Sequence, residues 1–243
     1  MHRFFLPGDF DAERVELPPD ISRQIASVLR LRPGEQIAVF NGSGEELRVR
    51  LERVSTGTAE GVIIGRSNPG VEPRLAITIC QAVLKADRFE FVLQRCTELG
   101  VARFQPVITE RCVASMPGGG RLTRWERIVR EAAEQSGRVA VPPIARAITL
   151  PELAASDSHR PAILLWEEES AHTLREALEE RLKGAPARLS LIIGPEGGID
   201  PREADILRKA GVAVAGMGKR ILRAETAAVA ATVAALYHSG ALG

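Results

Sequence analysis

Lysine is scarce in this sequence. Of 32 basic residues only Lys85, Lys183, Lys209 and Lys219 are lysine, and arginine supplies the other 28. Arginine grips phosphate with a planar fork where lysine offers a point charge, although a GC-rich genome is the simpler source of the bias. Cysteine is scarcer still. Cys80, Cys96 and Cys112 form an odd set without a CxxC pair, which argues against structural zinc, any other metal centre and a disulfide framework. Cys80 falls in an apolar run and Cys96 on an apolar helix face, so both are expected in the core. No apolar run is long enough to span a bilayer. The N-terminus, MHRFFLPGDF, lacks the apolar core and small-residue cleavage pattern of a signal peptide. A cytoplasmic chain without a membrane partner is expected. The net charge of +1 argues neither for nor against nucleic acid, and 45% hydrophobic with 26% charged residues excludes a disordered chain.

The length, 243 residues, suits one large or two modest domains. Residues 1–72 have a β rhythm. Ile37–Phe40 is a short apolar run closed by the turn cluster Asn41-Gly42-Ser43-Gly44, and Leu47, Val49 and Leu51 alternate with Arg48 and Arg50. One helix-like stretch lies between Pro18 and Arg32. A small β-barrel is expected, joined by Asn68–Pro73 to a second domain over residues 73–243. There the rhythm alternates between strand and helix. Strands are expected at Leu75–Leu84, Phe104–Thr109, Ala162–Trp166, Leu189–Ile193 and Val212–Ala215. Asp87 with Glu90, and Thr123 with Glu126, have the spacing of capping boxes. A helix is expected from Ser170 to Lys183. Asp200-Pro201-Arg202-Glu203 is the strongest helix start in the chain, and Ala224–Tyr237 forms a final helix. This alternation implies a largely parallel sheet, with ligands bound beyond the carboxyl ends of its strands. The loops after Trp166, Ile193 and Ala215 are therefore the places to look.

Two of those loops are glycine-rich: Gly194-Pro195-Glu196-Gly197-Gly198 and Gly216-Met217-Gly218. Neither completes a dinucleotide fingerprint, because Ile221 stands where the third glycine belongs, and no phosphate loop of the GxxxxGK[ST] type exists. NAD and nucleoside triphosphates are thereby rejected. Thr226 has the chemistry of a helix cap, and Glu225 suits the positive end of the helix dipole. Arg223 does not, since a cation is disfavoured there, and it points to an anionic partner.

The segment GPEGGIDPREADILRKAGVAVAGMGKRILRAETAAVAA closely resembles the C-terminal motif of the RsmE family, bacterial methyltransferases acting on N3 of one uridine in 16S ribosomal RNA. MHRFFLPG, VLRLRPGEQIAVFNGSG, LAITICQAVLKADRFEFVLQRCTELGVARFQPVITER and RWERIVREAAEQSGR resemble its earlier blocks in the same order. Arg23 stands where the family commonly has His, and Met217 and Ala224 replace the more usual Leu and Thr, the second removing a hydroxyl from the cofactor loop. The resemblance implies an α/β SPOUT-type parallel sheet with a C-terminal trefoil knot, preceded by a PUA-like β-barrel. Knots are nearly absent from proteins, and periodicity cannot reveal one. The resemblance further implies a homodimer and S-adenosylmethionine held in the knot. Its walls would be Leu165, Trp166 and Glu167; Ile193, Gly194, Pro195, Glu196, Gly197 and Gly198; and Met217, Gly218, Ile221, Leu222, Arg223, Ala224, Glu225, Thr226 and Ala227.

Methylation of uracil N3 needs an unpaired or flipped base and loss of the N3 proton, which leaves charge on O2 and O4. Arg223 is the candidate for stabilising that charge or holding a phosphate. Glu225 is a candidate proton acceptor, with helix stabilisation as its simpler role. Candidates for contact with 16S ribosomal RNA in the small ribosomal subunit are Arg3, Arg30, Arg32, Lys85, Arg88, Arg124, Arg127 and Arg138. Residues 1–72 hold nine arginines against eleven acids, a balance of −2, so RNA binding there requires spatial segregation of charge. Trp125 is expected in the core, while Trp166 is as well suited to stacking on a base or adenine as to the core. Two other functions fit the same residues: methylation of another RNA, such as a tRNA ribose, and a non-catalytic ribosome assembly factor.

Overall fold

The computed structural model describes residues 1–8, 10, 13–113 and 118–242. Two of the acids counted above, Asp9 and Asp11, lie outside the described residues. Contacts divide the chain into two units, Met1–Glu72 with Ala133–Val141, and Pro73–Ala132 with Pro142–Gly243.

The first unit contains β1 (Arg3–Phe5), β2 (Arg14–Leu17), α1 (Pro19–Arg23), β3 (Gln36–Phe40), β4 (Glu46–Val54) and β5 (Ala59–Ser67). They form one sheet in the order β1-β3-β4-β5-β2, antiparallel except for the β1–β3 pair. The alternation read in β4 is real: Leu47, Val49 and Leu51 are buried, and Arg48 and Arg50 face outward. Irregular register between β4 and β5 at Arg48/Val49 and Leu51/Arg53 bends the sheet, as bulges do, into the curled form of a PUA-like domain. It wraps a core that includes Phe4, Val15, Leu17, Ile25, Ile37 and Val39. The single helix expected over Pro18–Arg32 is instead α1 followed by a π-helical turn, Gln24–Val28, with Arg30 in the left-handed region at φ 54°. Ala133 and Val139 pack with Phe40, Phe5 and Val141. The Phe5 N–H donates to Glu134 Oε1 at 2.9 Å, and Arg138 binds Glu72 at 2.6 Å.

The second unit holds β6 (Ala76–Ala82), α2 (Ala86–Glu98), β7 (Arg103–Ile108), the start of α3 (Gly119–Ser136), β8 (Ile148–Thr149), α4 (Leu150–Ala155), β9 (Ala162–Leu165), α5 (Leu174–Arg181), β10 (Arg188–Ile193), α6 (Pro201–Lys209), β11 (Ala213–Ala215) and α7 (Ala224–His238). Its sheet is parallel throughout, in the order β11-β9-β10-β6-β7-β8. Strands covered on both faces read as continuous apolar runs, and β9 is buried along its whole length. Leu150, Leu153, Ala204 and Leu207 of α4 and α6 share one cluster with β9 and β10. Helix α7 packs on β10, β6 and α2. Cys80 and Cys96 are fully buried as expected, and burial pushes both thiols up to about 12. Among the described residues, no helix is long and apolar enough to cross a membrane.

Three expected helix starts need correction. Asp87 lies inside the first turn of α2, whose N-cap is Lys85 without a side-chain cap. Thr123 lies inside α3 and its hydroxyl donates to the Gly119 carbonyl at 3.2 Å. The helix after β9 begins at Leu174, because Thr173 and Glu176, not Ser170, form the reciprocal capping box. Asp200 caps α6 as expected, accepting from the Arg202 N–H at 3.0 Å.

Candidate active site

Three strands end level with one another. Leu165 is in register with Ile193 on one side and with Ala215 on the other, so β9, β10 and β11 release their loops at one edge. The Trp166 N–H continues the ladder by donating to the Ala215 carbonyl at 3.0 Å, and the indole Nε1 donates to the Ile199 carbonyl at 3.2 Å. Gly216 then pairs with the loop after β9. Its N–H donates to the His172 carbonyl at 2.8 Å, and its carbonyl accepts from Leu174 N–H at 2.9 Å. A Cβ at Gly216 would lie 2.1 Å from the Glu169 carbonyl oxygen, so only glycine fits there. Gly198 has φ +74°, and a Cβ there would meet Glu167 Oε1 at 1.9 Å. These approaches draw the three loops together.

Between them lies a cavity of about 290 Å³. Leu165, Trp166 and Glu167 line it from β9, and Ile193, Gly194, Pro195, Glu196 and Gly198 from β10. Met217, Gly218, Ile221, Leu222, Arg223, Ala224 and Ala227 close it from β11 and α7. The buried amide of Gln81 pins the start of the β10 loop, its Nε2 donating to the Gly194 carbonyl at 3.2 Å. Glu196 Oε1 accepts the Lys85 N–H at 3.2 Å and faces Arg88 at 3.5 Å. Hydrogen bonds from the side chain and backbone of Arg202 hold the Asp200 carboxyl below the usual carboxylate range. Arg223 is the N-cap of α7 and is exposed, and its guanidinium takes no hydrogen bond or ion pair from the described residues. Among the described residues, no group of three His, Cys, Asp or Glu could hold a metal ion.

A cavity enclosed by the loops of three adjacent parallel strands invites comparison with known proteins. The family model of an RNA methyltransferase domain matches residues 71–236, and that of an RNA methyltransferase PUA domain matches residues 17–64. The ribosomal RNA small subunit methyltransferase E of Mycobacterium bovis is 34% identical over 214 residues, covering 85% of this chain and 79% of that protein. The chain belongs to the ribosomal RNA small subunit methyltransferase E family. The member from Synechocystis sp. is 36% identical over 202 residues, covering 82% of this chain but only 65% of its own length. A crystal structure of the Neisseria gonorrhoeae member, bound to S-adenosyl methionine, superposes with a TM-score of 0.88 at 35% identity, covering 98% of this chain and 97% of that one.

Family membership makes the chain a methyltransferase of RNA, and it gives the expected cavity residues a context. Three of them do not line the cavity. Gly197 faces Arg111, and Glu225 and Thr226 lie in the first turn of α7. Thr226 is not the cap expected of it, because Arg223 occupies that position. Arg88, expected at RNA, lines the cavity too, and so do Lys219 and Arg220 of the stretch from Met217 to Ala227. Lys219 and Arg220 sit between Gly218 and Ile221, so continuity of that loop was the available signal. Two RNA candidates need correction. Arg3 bonds to Glu46 and donates to the Gly137 and Arg138 carbonyls at 2.9 and 3.0 Å, and Arg138 is buried against Glu72, so neither guanidinium is offered to a phosphate. Arg30, Arg32, Lys85, Arg124 and Arg127 are exposed, the last two paired with Glu90 at 2.7 Å and Glu131 at 3.9 Å. Trp125 is buried and stacked on Phe89 with ring centroids 4.2 Å apart, as a core residue should be. Trp166 faces the cavity.

Proposed function

We propose that this protein transfers the methyl group of S-adenosylmethionine to N3 of one uridine in 16S ribosomal RNA, within the small ribosomal subunit and in the cytoplasm. The observation that carries this is the meeting of three strand-end loops around one cavity. Its volume, about 290 Å³, is close to the lower end of small-ligand sites, about 300–1,000 Å³. The lining suits the cofactor. Leu165, Ile193, Met217 and Leu222 offer apolar surface to the adenine and the methyl-bearing sulfur, and Glu167 and Glu196 offer carboxylates to its cationic groups. When bound, the cofactor supplies an electrophilic methyl group. The protein contributes orientation and electrostatics.

Arg223 stands at the cavity wall, its guanidinium unpaired among the described residues. It suits the role of stabilising the negative charge that spreads over O2 and O4 as the N3 proton leaves, or of holding a phosphate beside the base. A cation at the positive end of α7 is unfavourable alone, and such an anion relieves it. Glu225 remains a candidate acceptor for the proton, since its Oε2 is buried without a hydrogen-bond partner among the described residues. It does not line the cavity, so stabilising the start of α7 is its better supported role. The knot belongs to the same reading, supported by β9, β10 and β11 lying side by side with α7 packed on β10. So does a homodimer. Val233 and Tyr237, four residues apart on one face of α7, are 40% and 74% exposed, and Ile221 is 85% exposed.

Incubation of unmodified small subunits with labelled S-adenosylmethionine, followed by mapping of the labelled nucleoside, tests the proposal. Label on uridine N3 at one position is expected. Label on a ribose or in tRNA, or no label together with no heat of cofactor binding, would overturn it.

A further inference from the structure

Two consecutive residues after β7 reach the segment that leaves β10. The Glu110 N–H donates to Glu203 Oε1 at 3.0 Å, which ties the start of this loop to the first turn of α6. Glu203 is buried there, and burial raises its carboxyl above the usual range. The Glu110 carboxylate meets Arg202 at 2.8 Å. With the loop held in this way, Arg111 is aimed at the glycine-rich wall of the cavity. Its Nη1 donates to the Gly197 carbonyl at 3.3 Å, and its Nη2 reaches Asp200 Oδ2 at 3.3 Å. The backbones also approach closely: a Cβ at Gly197 would lie 3.2 Å from Arg111 Cβ and 3.4 Å from the Arg111 carbonyl oxygen.

Arg111 therefore packs tightly against Gly197, and neither residue lines the cavity. One guanidinium spans two acceptors, a backbone carbonyl at Gly197 and the capping carboxylate of α6. Between and before them run Glu196 and Gly198, which do line it. A planar fork can hold two such points at once, and an ammonium cannot do so with the same geometry.

We propose that Arg111 is a positioning residue for methyl transfer, setting the shape of the Pro195–Gly198 wall from outside through Gly197 and Asp200. The inference rests on the reading of the cavity as a methyl-donor site. It also accounts for a residue whose worth to folding is small. The Arg111 side chain is 39% exposed, and ion pairs at such positions add little to stability. Its effect should appear in ligand binding rather than in the unfolding midpoint.

The test compares wild type with Arg111→Ala and Arg111→Lys. Calorimetry with S-adenosylmethionine, urea unfolding without ligand, and steady-state methylation of small subunits are the measurements. Cofactor affinity of Arg111→Ala should fall about tenfold, equivalent to about 1.4 kcal/mol, with KM for the cofactor rising by more than kcat falls. Arg111→Lys should recover part of the affinity by keeping one of the two contacts. The unfolding midpoints of all three should nearly coincide. If wild type binds the cofactor and Arg111→Ala binds within twofold of it, the positioning role is wrong and the active-site reading stands. If wild type itself gives no binding, both fall. If Arg111→Ala does not fold, or unfolds markedly earlier, the residue is structural and the proposal is overturned unless a folded Arg111→Lys still shows the KM-selective loss.

Discussion

Glu196 lends its carboxylate to Lys85, across 111 positions of sequence, and so caps a helix that has no side-chain cap of its own. The acceptor is an anion at the positive end of α2, beside Arg88. The loop that walls the cavity thus also completes the helix that follows β6.

Replacing Glu196 should therefore loosen α2 as well as the cavity. Glu196→Ala is expected to cost about 1 kcal/mol, as loss of an N-terminal cap does. Glu196→Gln keeps an acceptor for the Lys85 N–H and should cost less. Urea unfolding of the two variants measures the difference, and equal losses would mean that the charge is what matters.

Trp125 is 1% exposed and lies over Phe89. Trp125→Ala should cost about 3–5 kcal/mol, a large share of the whole stability of an ordinary domain. Its indole N–H is buried without a partner among the described residues. Trp125→Phe removes that unsatisfied donor and should be far milder than the lost volume alone suggests. Chemical denaturation of both variants checks the ranking.

The two tight glycines should respond differently to alanine. At Gly216 the added Cβ meets a backbone carbonyl oxygen at 2.1 Å, whereas at Gly198 it meets the movable end of Glu167 at 1.9 Å. Gly216→Ala should break the loop pairing and abolish cofactor binding. Gly198→Ala should fold, with a strain of about 1–2 kcal/mol from its left-handed backbone and weaker binding. Calorimetry and circular dichroism separate the two outcomes.

Acid sensitivity should trace partly to Asp200. Its folded pKa lies below the unfolded value of 3.8. The stability it adds is therefore present above that value and lost as pH falls through the folded one. Asp200→Asn retains a cap on α6 but removes this linkage. Below pH 3.8 the variant should lose stability less steeply than wild type, as read from unfolding midpoints across an acid series.

The exposed face of α7 predicts its own outcome. Val233→Glu combined with Tyr237→Glu should convert a dimer to a monomer in sedimentation. A wild-type protein that sediments as a monomer at micromolar concentration would refute the dimer outright.

Much of this could be read along the chain because its causes are local. The buried run of β9, the alternation of β4 and the Asp200 cap of α6 each depend on residues within one element. What escaped was non-local. Asp87 has the right chemistry for a cap, but Glu196 takes the task from another loop. Gly197 looked like a ligand glycine, and its neighbour is Arg111. Arg3 and Arg138 looked like phosphate ligands, and folded acids and carbonyls consume them. Arg88 reaches the cavity from α2, which spacing along the chain could not show.

The three loops that wall the cavity are made in order during synthesis: the one that begins at Leu165, then the one that begins at Ile193, then the one that begins at Met217. A nascent chain that has emerged as far as Gly198 carries two faces of a socket and nothing opposite them. Capture of any ligand by this cavity must therefore wait for the third segment to leave the exit tunnel.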